Sequence, residues 1–193
     1  MEIYYAGIGA RDTPQDVCRK MFTAGKVLWE AGVTLRSGGA KGADTAFESG
    51  ALCAANGEKS SDAVHDLRKD DDTNWDRIEI YLPFKRFNGH PSPRYGTTKA
   101  ARQIASHFHP KWEILSCTGR DFMGRNAYQI LGAGLDLPVS FVLCWTPEGR
   151  ITGGTGQALR HAKHLDIPIL NFAVEDDDTI SDFIISTAER MRA

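Results

Sequence analysis

The sequence lacks long apolar runs, paired cysteines and a marked excess of either charge. No stretch of about 18 consecutive apolar residues occurs, so no transmembrane helix is expected. The four cysteines form no Cys-x-x-Cys pair and no Cys/His cluster has zinc-site spacing, which favours free thiols in a reducing compartment and no structural metal. The net charge of -2 does not by itself require a nucleic acid or a membrane surface as a partner.

Several motifs of known chemistry are also missing. Without GxxxxGK[ST] the chain is not a Walker-type ATPase, and without GxSxG it has no hydrolase nucleophile elbow. Gly7 and Gly9 begin a loose GxGxxG, but Asp12 stands at the third glycine position, which argues against a dinucleotide fingerprint. The N-terminus has no basic region of the kind that opens a secretory signal, so we expect a cytoplasmic protein.

Short apolar runs alternate with longer segments of helical spacing. The runs span residues 2–9, 33–38, 77–84, 138–145 and 167–172. The helical segments span residues 12–32, 42–57, 99–108, 110–135, 157–165 and 179–193. In the first of these, Thr13 is expected to cap the helix and Pro14 to occupy its first position. This order predicts one α/β domain over residues 1–193, with a Rossmann-like, open and mainly parallel sheet covered by helices on both faces.

Residues 58–76 differ from the rest of the chain because they are polar and heavily charged, with aspartates at 70, 71 and 72. We interpret them as a solvated excursion from the domain. An acidic metal site is the alternative, but consecutive aspartates do not easily converge on one ion. We therefore expect no bound metal.

Glycine-rich loops follow three of the apolar runs, at residues 7–14, 36–44 and 144–156. In a parallel sheet such loops meet at the carboxyl ends of the strands, where ligands bind, and each leads into a helix whose N-terminus attracts anions. Glycine lets the backbone approach a ligand closely. Hydroxyl and cationic side chains are available at Thr13, Ser37 and Thr155, and at Arg11, Arg36 and Lys41. The loops predict a phosphate-bearing ligand, although tight turns and helix packing without a ligand would use the same glycines.

Three motifs together resemble the SLOG superfamily: GGAKGAD at 38–44, Arg125 with Asn126, and GGTGQAL at 153–159. The superfamily links the DNA processing protein A family, the lonely-guy phosphoribohydrolases and nucleotide-sensing domains of defence systems. The chain is most similar to the YspA/YpsA-like branch, whose small members are common in bacteria and their phages. The resemblance implies a nucleotide-type ligand, a homo-oligomer, and a location in the cytoplasm, which is the host's if the protein is phage-encoded.

The loops and the resemblance together define a set of candidate ligand-binding residues. They are Gly9, Arg11, Ser37, Gly38, Gly39, Lys41, Asp44, Arg125, Asn126, Gly153, Gly154, Thr155 and Gln157. No cofactor other than the nucleotide ligand is expected.

The resembling phosphoribohydrolases carry a Pro-Gly-Gly-x-Gly-Thr-x-x-Glu signature, which this chain matches only at its three glycines. The position of the catalytic glutamate is Arg160, whose charge is opposite to the one that stabilises an oxocarbenium-like transition state. Arg125 is the candidate for the other catalytic residue of that family. Replacement carboxylates would have to come from Glu48, Glu113 or Glu148. We therefore expect binding without turnover.

Three functions remain open at this stage. The first is a sensor or sequestering protein for a nucleotide-derived small molecule. The second is a single-stranded nucleic-acid-binding protein of the DNA-processing type, supported by cations and rings in one loop at Lys85, Arg86, Phe87, Arg94 and Tyr95. The third is a nucleotide N-glycosidic hydrolase with rearranged catalytic residues. The slight net acidity favours the first over the second.

Overall fold

The fold is a parallel sheet with helices on both faces, as the alternating sequence pattern predicts. In the computed structural model, which describes residues 2–58 and 64–192, five parallel strands lie in the order β3-β2-β1-β4-β5. The strands are β1 (Tyr4–Gly9), β2 (Thr34–Ser37), β3 (Ile78–Ile80), β4 (Phe141–Trp145) and β5 (Ile169–Asn171). The α/β, Rossmann-like prediction is confirmed.

The helices divide into two layers. They are α1 (Gln15–Glu30), α2 (Ala43–Ala55), α3 (Val64–Leu67), α4 (Lys99–His107), α5 (Cys117–Leu131), α6 (Gly153–His164) and α7 (Asp177–Arg192). On one face, α1, α2 and α7 bury Tyr5 and Leu143 of the sheet. On the other face, α5 and α6 bury Ala6 and Ile8, because successive residues of a strand point to opposite sides. Burial on both faces explains why the central strands β1 and β4 are apolar throughout.

The central strand β1 fixes the edge at which the loops meet. Its last residues pair with β4, so that Ile8 lies opposite Cys144 and Gly9 opposite Trp145. On its other side, β1 pairs with β2 in parallel. The loops after β1, β2 and β4 therefore leave the sheet side by side. The strand order reverses at β1, which is the kind of point where open α/β sheets bind ligands.

Helices α1 and α2 approach each other through glycine. A Cβ atom on Gly25 of α1 would overlap the carbonyl oxygen of Phe47, and one on Gly50 of α2 would overlap that of Phe22. Any larger residue at either position would force the two helices apart. These glycines serve helix packing and lie away from the glycine-rich loops.

Two local predictions are wrong. The segment 110–135 is not one helix: a short 3-10 turn at Trp112–Ile114 precedes α5, which begins at Cys117 because the hydroxyl of Ser116 accepts a hydrogen bond from the Gly119 amide. Thr13 does not cap α1, since its hydroxyl donates to the carbonyl of Ala10. Pro14 occupies the N-cap position instead of the first helical position.

The polar segment is only partly a solvated excursion, and its residues 59–63 lie outside the described residues. Val64 is buried, and Arg68 donates to the fully buried Glu48 at 2.7 Å, so α3 is anchored on α2. The aspartates at 70–72 are exposed. Over the described ranges, no group of three or more His, Cys, Asp or Glu side chains is arranged to hold a metal ion. No helix within them has the length and apolarity to cross a membrane.

Candidate functional site

A cavity of about 460 Å³ opens at the carboxyl edge of the sheet. The loops after β1, β2 and β4 and the first turn of α6 surround it, and α5 forms the opposite wall. Its lining residues are Ile8, Gly9, Ala10, Arg11, Ala40, Asp44, Leu115, Gly119, Phe122, Met123, Arg125, Asn126, Gln129, Thr146, Pro147, Thr152, Gly153, Gly154, Thr155 and Ala158. The three predicted loops therefore do converge on one space, of a size suited to a small ligand.

The first turn of α6 contributes backbone N–H groups to this cavity. Gly153, Gly154 and Thr155 all line it, and the first N–H groups of a helix have no partner within the helix. Gly153 has a φ of +64°, which favours glycine at the turn into the helix. Together with the positive end of the helix dipole, these groups form a site for an anion.

Asp44, in the first turn of α2, joins two of the loops. Its carboxylate accepts hydrogen bonds from the Gly9 amide at 3.2 Å and from the Ala40 amide at 3.4 Å. Burial raises the pKa of Asp44 to about 6, although the nearby charge of Arg125 and the two backbone amides act in the opposite direction. A carboxyl group that titrates near neutrality inside a cavity is a feature common at functional sites.

Arg125 crosses from α5 to the loop after β2. Its Nη1 donates to the carbonyl of Gly38 and lies 3.7 Å from the Asp44 carboxylate, and its Nε donates to Asn126 Oδ1 at 3.1 Å. Burial lowers the pKa of Arg125, while the Asp44 charge raises it. The side chain is thus held rigidly at the cavity wall as a fixed positive charge.

Asn126 ties α5 to α6. Its Nδ2 donates to the Gly154 carbonyl at 2.9 Å and to Gln157 Oε1 at 3.0 Å. These bonds position the first turn of α6 against α5. Arg125 and Asn126 therefore have different tasks, since one holds the loop after β2 and the other holds the loop after β4.

The structure divides the candidate ligand-binding residues into two groups. Eight of them line the cavity: Gly9, Arg11, Asp44, Arg125, Asn126, Gly153, Gly154 and Thr155. Five do not: Ser37, Gly38, Gly39, Lys41 and Gln157.

The five outliers mostly support the walls. Ser37 is fully buried and donates to the Gly7 carbonyl at 2.6 Å. Gly38 leaves room for the guanidinium of Arg125, and Gly39 has a φ of +63° with no space for a larger side chain beside Leu82. Gln157 is fully buried and accepts from Asn126. Lys41 is exposed and faces a neighbouring groove.

Sequence reasoning missed part of the α5 wall. Phe122, Met123 and Gln129 line the cavity on the same side of the helix as Asn126, and Thr146 and Pro147 line it after β4. The α5 residues recur at helical spacing with Arg125 and Asn126, so extending that spacing by one turn in each direction would have found them.

A second groove of about 650 Å³ adjoins the cavity and shares Arg11 with it. It runs between α1 and α2 and is lined by Arg11, Thr13, Gln15, Cys18, Arg19, Phe22, Thr23, Lys41, Gly42, Thr45, Ala46 and Ser49. None of the described residues that line it is a carboxylate. Within the described part of the chain, Arg11, Arg19 and Lys41 make no ion pair. Arg11 also lies 5.7 Å from the centre of the Phe122 ring on the α5 side.

Arg160 does not enter the cavity. Its Nε donates to the Phe108 carbonyl at 2.6 Å and its Nη1 to the Ile151 carbonyl at 3.0 Å. The proposed repulsion between its charge and a ligand sugar is therefore not supported by its position. Of the replacement carboxylates, Glu48 is paired with Arg68 and His90, Glu113 is exposed, and Glu148 pairs with Arg150. Among the described residues, the carboxylate that lines the cavity is Asp44.

The loop of cations and rings is only partly available at the surface. Phe87 is buried, and Arg94 lies 3.9 Å from Glu79. Lys85 lies 5.9 Å from the centre of the Tyr95 ring, and that ring is about half exposed. Arg36, considered as a source of charge, is buried against Glu79 at 2.8 Å.

Comparison with known proteins gives a likeness of fold. No family model matches the chain. No curated protein matches it. Among solved structures, the chain is similar to DNA processing protein A from Helicobacter pylori, described for its single-stranded DNA binding mode, with 16% sequence identity and a TM-score of 0.56. The match covers 98% of this chain and 82% of that one. At this identity the likeness supports the α/β fold and nothing finer.

Proposed function

We propose that this protein binds a phosphate-bearing nucleotide in the cavity at the carboxyl edge of the sheet, as a sensor or sequestering protein. The observation that carries the proposal is the open first turn of α6, which lines the same cavity as Arg11 and Arg125. Helix N–H groups, a helix dipole and two guanidinium groups all favour an anion there. The apolar side chains of Ile8, Phe122 and Met123 offer contact surface to a base.

The substitution Thr155→Asp tests this placement. A carboxylate in the first turn favours the helix but opposes a bound phosphate, so the variant stays folded and loses ligand. We expect affinity for the tightest-binding compound in a panel of 5′-monophosphates, ADP-ribose and NAD to fall by about 100-fold, since juxtaposed like charges cost several kcal/mol. Isothermal titration calorimetry measures this change.

Thr118→Asp is the matched control, because Thr118 is exposed in the first turn of α5 and does not line the cavity. It places the same charge in the same kind of helical position. Equal affinity of the Thr155→Asp protein and the wild type would place the phosphate elsewhere. Absence of binding by the wild type across the panel would reject the small-molecule proposal.

A single-stranded nucleic acid is the second candidate, favoured by the cationic groove that continues from the cavity through Arg11. Arg19 and Lys41 are placed to meet phosphates beyond the first nucleotide. The fold likeness to a protein described as binding single-stranded DNA supports the same candidate. A ligand of this kind would fill the cavity and the groove together, whereas a mononucleotide would need the cavity alone.

Turnover is a separate question from binding. The cavity presents Asp44 as its carboxylate, but that group carries a raised pKa and is bound to two backbone amides. We also propose, from the resemblance of its motifs, that the chain is a member of the SLOG superfamily and forms a homo-oligomer. Product chromatography after long incubation with 5′-monophosphates tests turnover, and we expect no free base. Release of base that is lost in Arg125→Ala would make the protein a hydrolase.

A further inference from the structure

One buried polar side chain of the cavity wall takes no part in the hydrogen bonds that hold the described loops and helices together. The buried polar side chains that line the cavity are Asp44, Arg125, Asn126, Gln129 and Thr146. Four of them hold loops or helices together through the hydrogen bonds given above or, for Thr146, by accepting from Asn171 Nδ2 at 2.8 Å. Gln129 is 2% exposed, yet its amide has no hydrogen-bond partner among the described residues.

Gln129 lines the cavity, and its two amide atoms are not sealed from solvent. It differs in this respect from Gln157, whose Nε2 is sealed in the core without a partner. Gln129 follows Asn126 by three residues on α5, so the two lie on the same side of that helix. Ile8 of β1 and Ala158 of α6, both buried, are apolar residues that line the same cavity. A single unpaired amide in an apolar surface is a feature that fixes the orientation of a ligand.

We propose that Gln129 is the specificity-determining residue for the base of the bound nucleotide, an assignment that rests on the proposed function. An amide presents an acceptor oxygen beside a donor nitrogen, and nucleobase edges present the complementary pair. Glutamine forms such paired bonds with the N6 and N7 atoms of adenine. With the phosphate at the first turn of α6, the base lies along α5 and meets the amide.

Binding of AMP, GMP, CMP, UMP and the base-free ribose 5-phosphate to the wild type and to Gln129→Leu tests the assignment. The leucine side chain removes the amide and keeps a similar size. We expect the wild type to prefer one base over the least favoured by about tenfold or more, the discrimination of a paired amide contact. In Gln129→Leu that preference disappears, and the affinities approach that of ribose 5-phosphate. Gln103→Leu, an exposed position on α4, is the matched control and keeps the wild-type preference.

A second measurement does not depend on the variant. In the wild type, the side-chain amide resonance of Gln129 shifts on addition of the preferred monophosphate and not of ribose 5-phosphate. Two results overturn the assignment: an undiminished base preference in Gln129→Leu, or a resonance that does not respond.

The outcomes also separate this assignment from the proposed function. If ribose 5-phosphate binds the wild type as tightly as every nucleotide, the phosphate site stands and Gln129 does not read a base. If none of the five compounds binds, this assignment fails, and the proposed small-molecule function fails with it when ADP-ribose and NAD do not bind either.

Discussion

The guanidinium of Arg125 lies 3.7 Å from the carboxylate of Asp44, and both groups are buried in the wall of the cavity. The pair links α5 to α2 across the loop after β2. Its geometry depends on Gly38, whose missing side chain leaves space for the guanidinium.

Gly38→Ala tests this dependence. A Cβ atom on Gly38 would overlap Arg125 Nη1, so the guanidinium must leave the Gly38 carbonyl and the cavity wall. Because hydrogen bonds to charged groups contribute about 1.5–3 kcal/mol, we expect nucleotide affinity to fall by about 10- to 100-fold. Titration calorimetry measures the loss. Arg190→Gln, an exposed change on α7, is the control for unspecific charge effects, and an unaltered affinity in Gly38→Ala would show that Arg125 does not contribute.

The raised pKa of Asp44 predicts a pH-dependent stability. Burial takes this pKa from 3.8 to about 6, so the native chain holds a proton that the unfolded chain releases between these values. Stability from this proton is full below pH 3.8 and is lost as the pH rises through about 6. In Asp44→Asn this loss is absent.

The measurement is chemical denaturation of both proteins from pH 4 to pH 7. The free energy of unfolding of Asp44→Asn minus that of the wild type should grow up to about pH 6 and then stay constant. A difference that does not change with pH would mean that Asp44 titrates normally.

The lowered pKa of His161 predicts a pH dependence of stability opposite in sign to that of Asp44. Its ring is buried and stacks on Phe108 at 4.5 Å, and burial lowers its pKa to about 4. The unfolded chain therefore gains a proton at a higher pH than the native chain, and stability falls as the pH drops from 6.5 to about 4. Thermal unfolding of His161→Gln should lack this component, whereas His107→Gln, exposed on α4, should keep it. Identical pH profiles for the wild type and His161→Gln would contradict the prediction.

The groove beside the cavity predicts that loss of its cations weakens the binding of long ligands and leaves the affinity for short ligands unchanged. Arg19→Gln with Lys41→Gln removes two groove cations that do not line the cavity. We expect weaker binding of a single-stranded oligonucleotide, and a salt dependence reduced by about 0.7 in log–log slope for each lost phosphate contact, with mononucleotide affinity unchanged. Fluorescence anisotropy across a salt series measures both.

The double variant Arg86→Ala, Arg94→Ala is the comparison, because it removes cations from the loop of rings instead of the groove. If only this second variant weakens oligonucleotide binding, the nucleic acid follows the loop, and the groove has another purpose.

Much of the fold could be predicted from sequence because apolar runs and helical spacing report burial directly. The convergence of three loops followed from the parallel sheet alone. What could not be predicted was which glycines serve a ligand. Gly38 and Gly154 look alike in sequence, but one makes room for Arg125 and the other lines the cavity. That difference depends on where α5 crosses the sheet edge, and no local pattern encodes the crossing.

The Arg160 prediction shows the same limit. The alignment of Arg160 with a catalytic position rested on three glycines of α6. Arg160 lies four residues after Gly156, and the packing of the helix decides in which direction its side chain points. Phe108, at the end of α4, provides the carbonyl that holds it away from the cavity. Long-range contacts of this kind are invisible in a single sequence.

The glycine contact between α1 and α2 has a mechanical consequence. Because the backbones of the two helices touch at Gly25 and Gly50, the helices cannot slide past each other. The loops at their N-termini therefore keep a fixed position. Adjustment to a larger or smaller ligand is therefore expected from the other walls of the cavity, which are the first turn of α6 and α5 with the 3-10 turn before it. Trp112 lies in the 3-10 turn before α5, 5.5 Å from the Arg120 guanidinium. Its fluorescence should therefore report a movement of this turn and of α5.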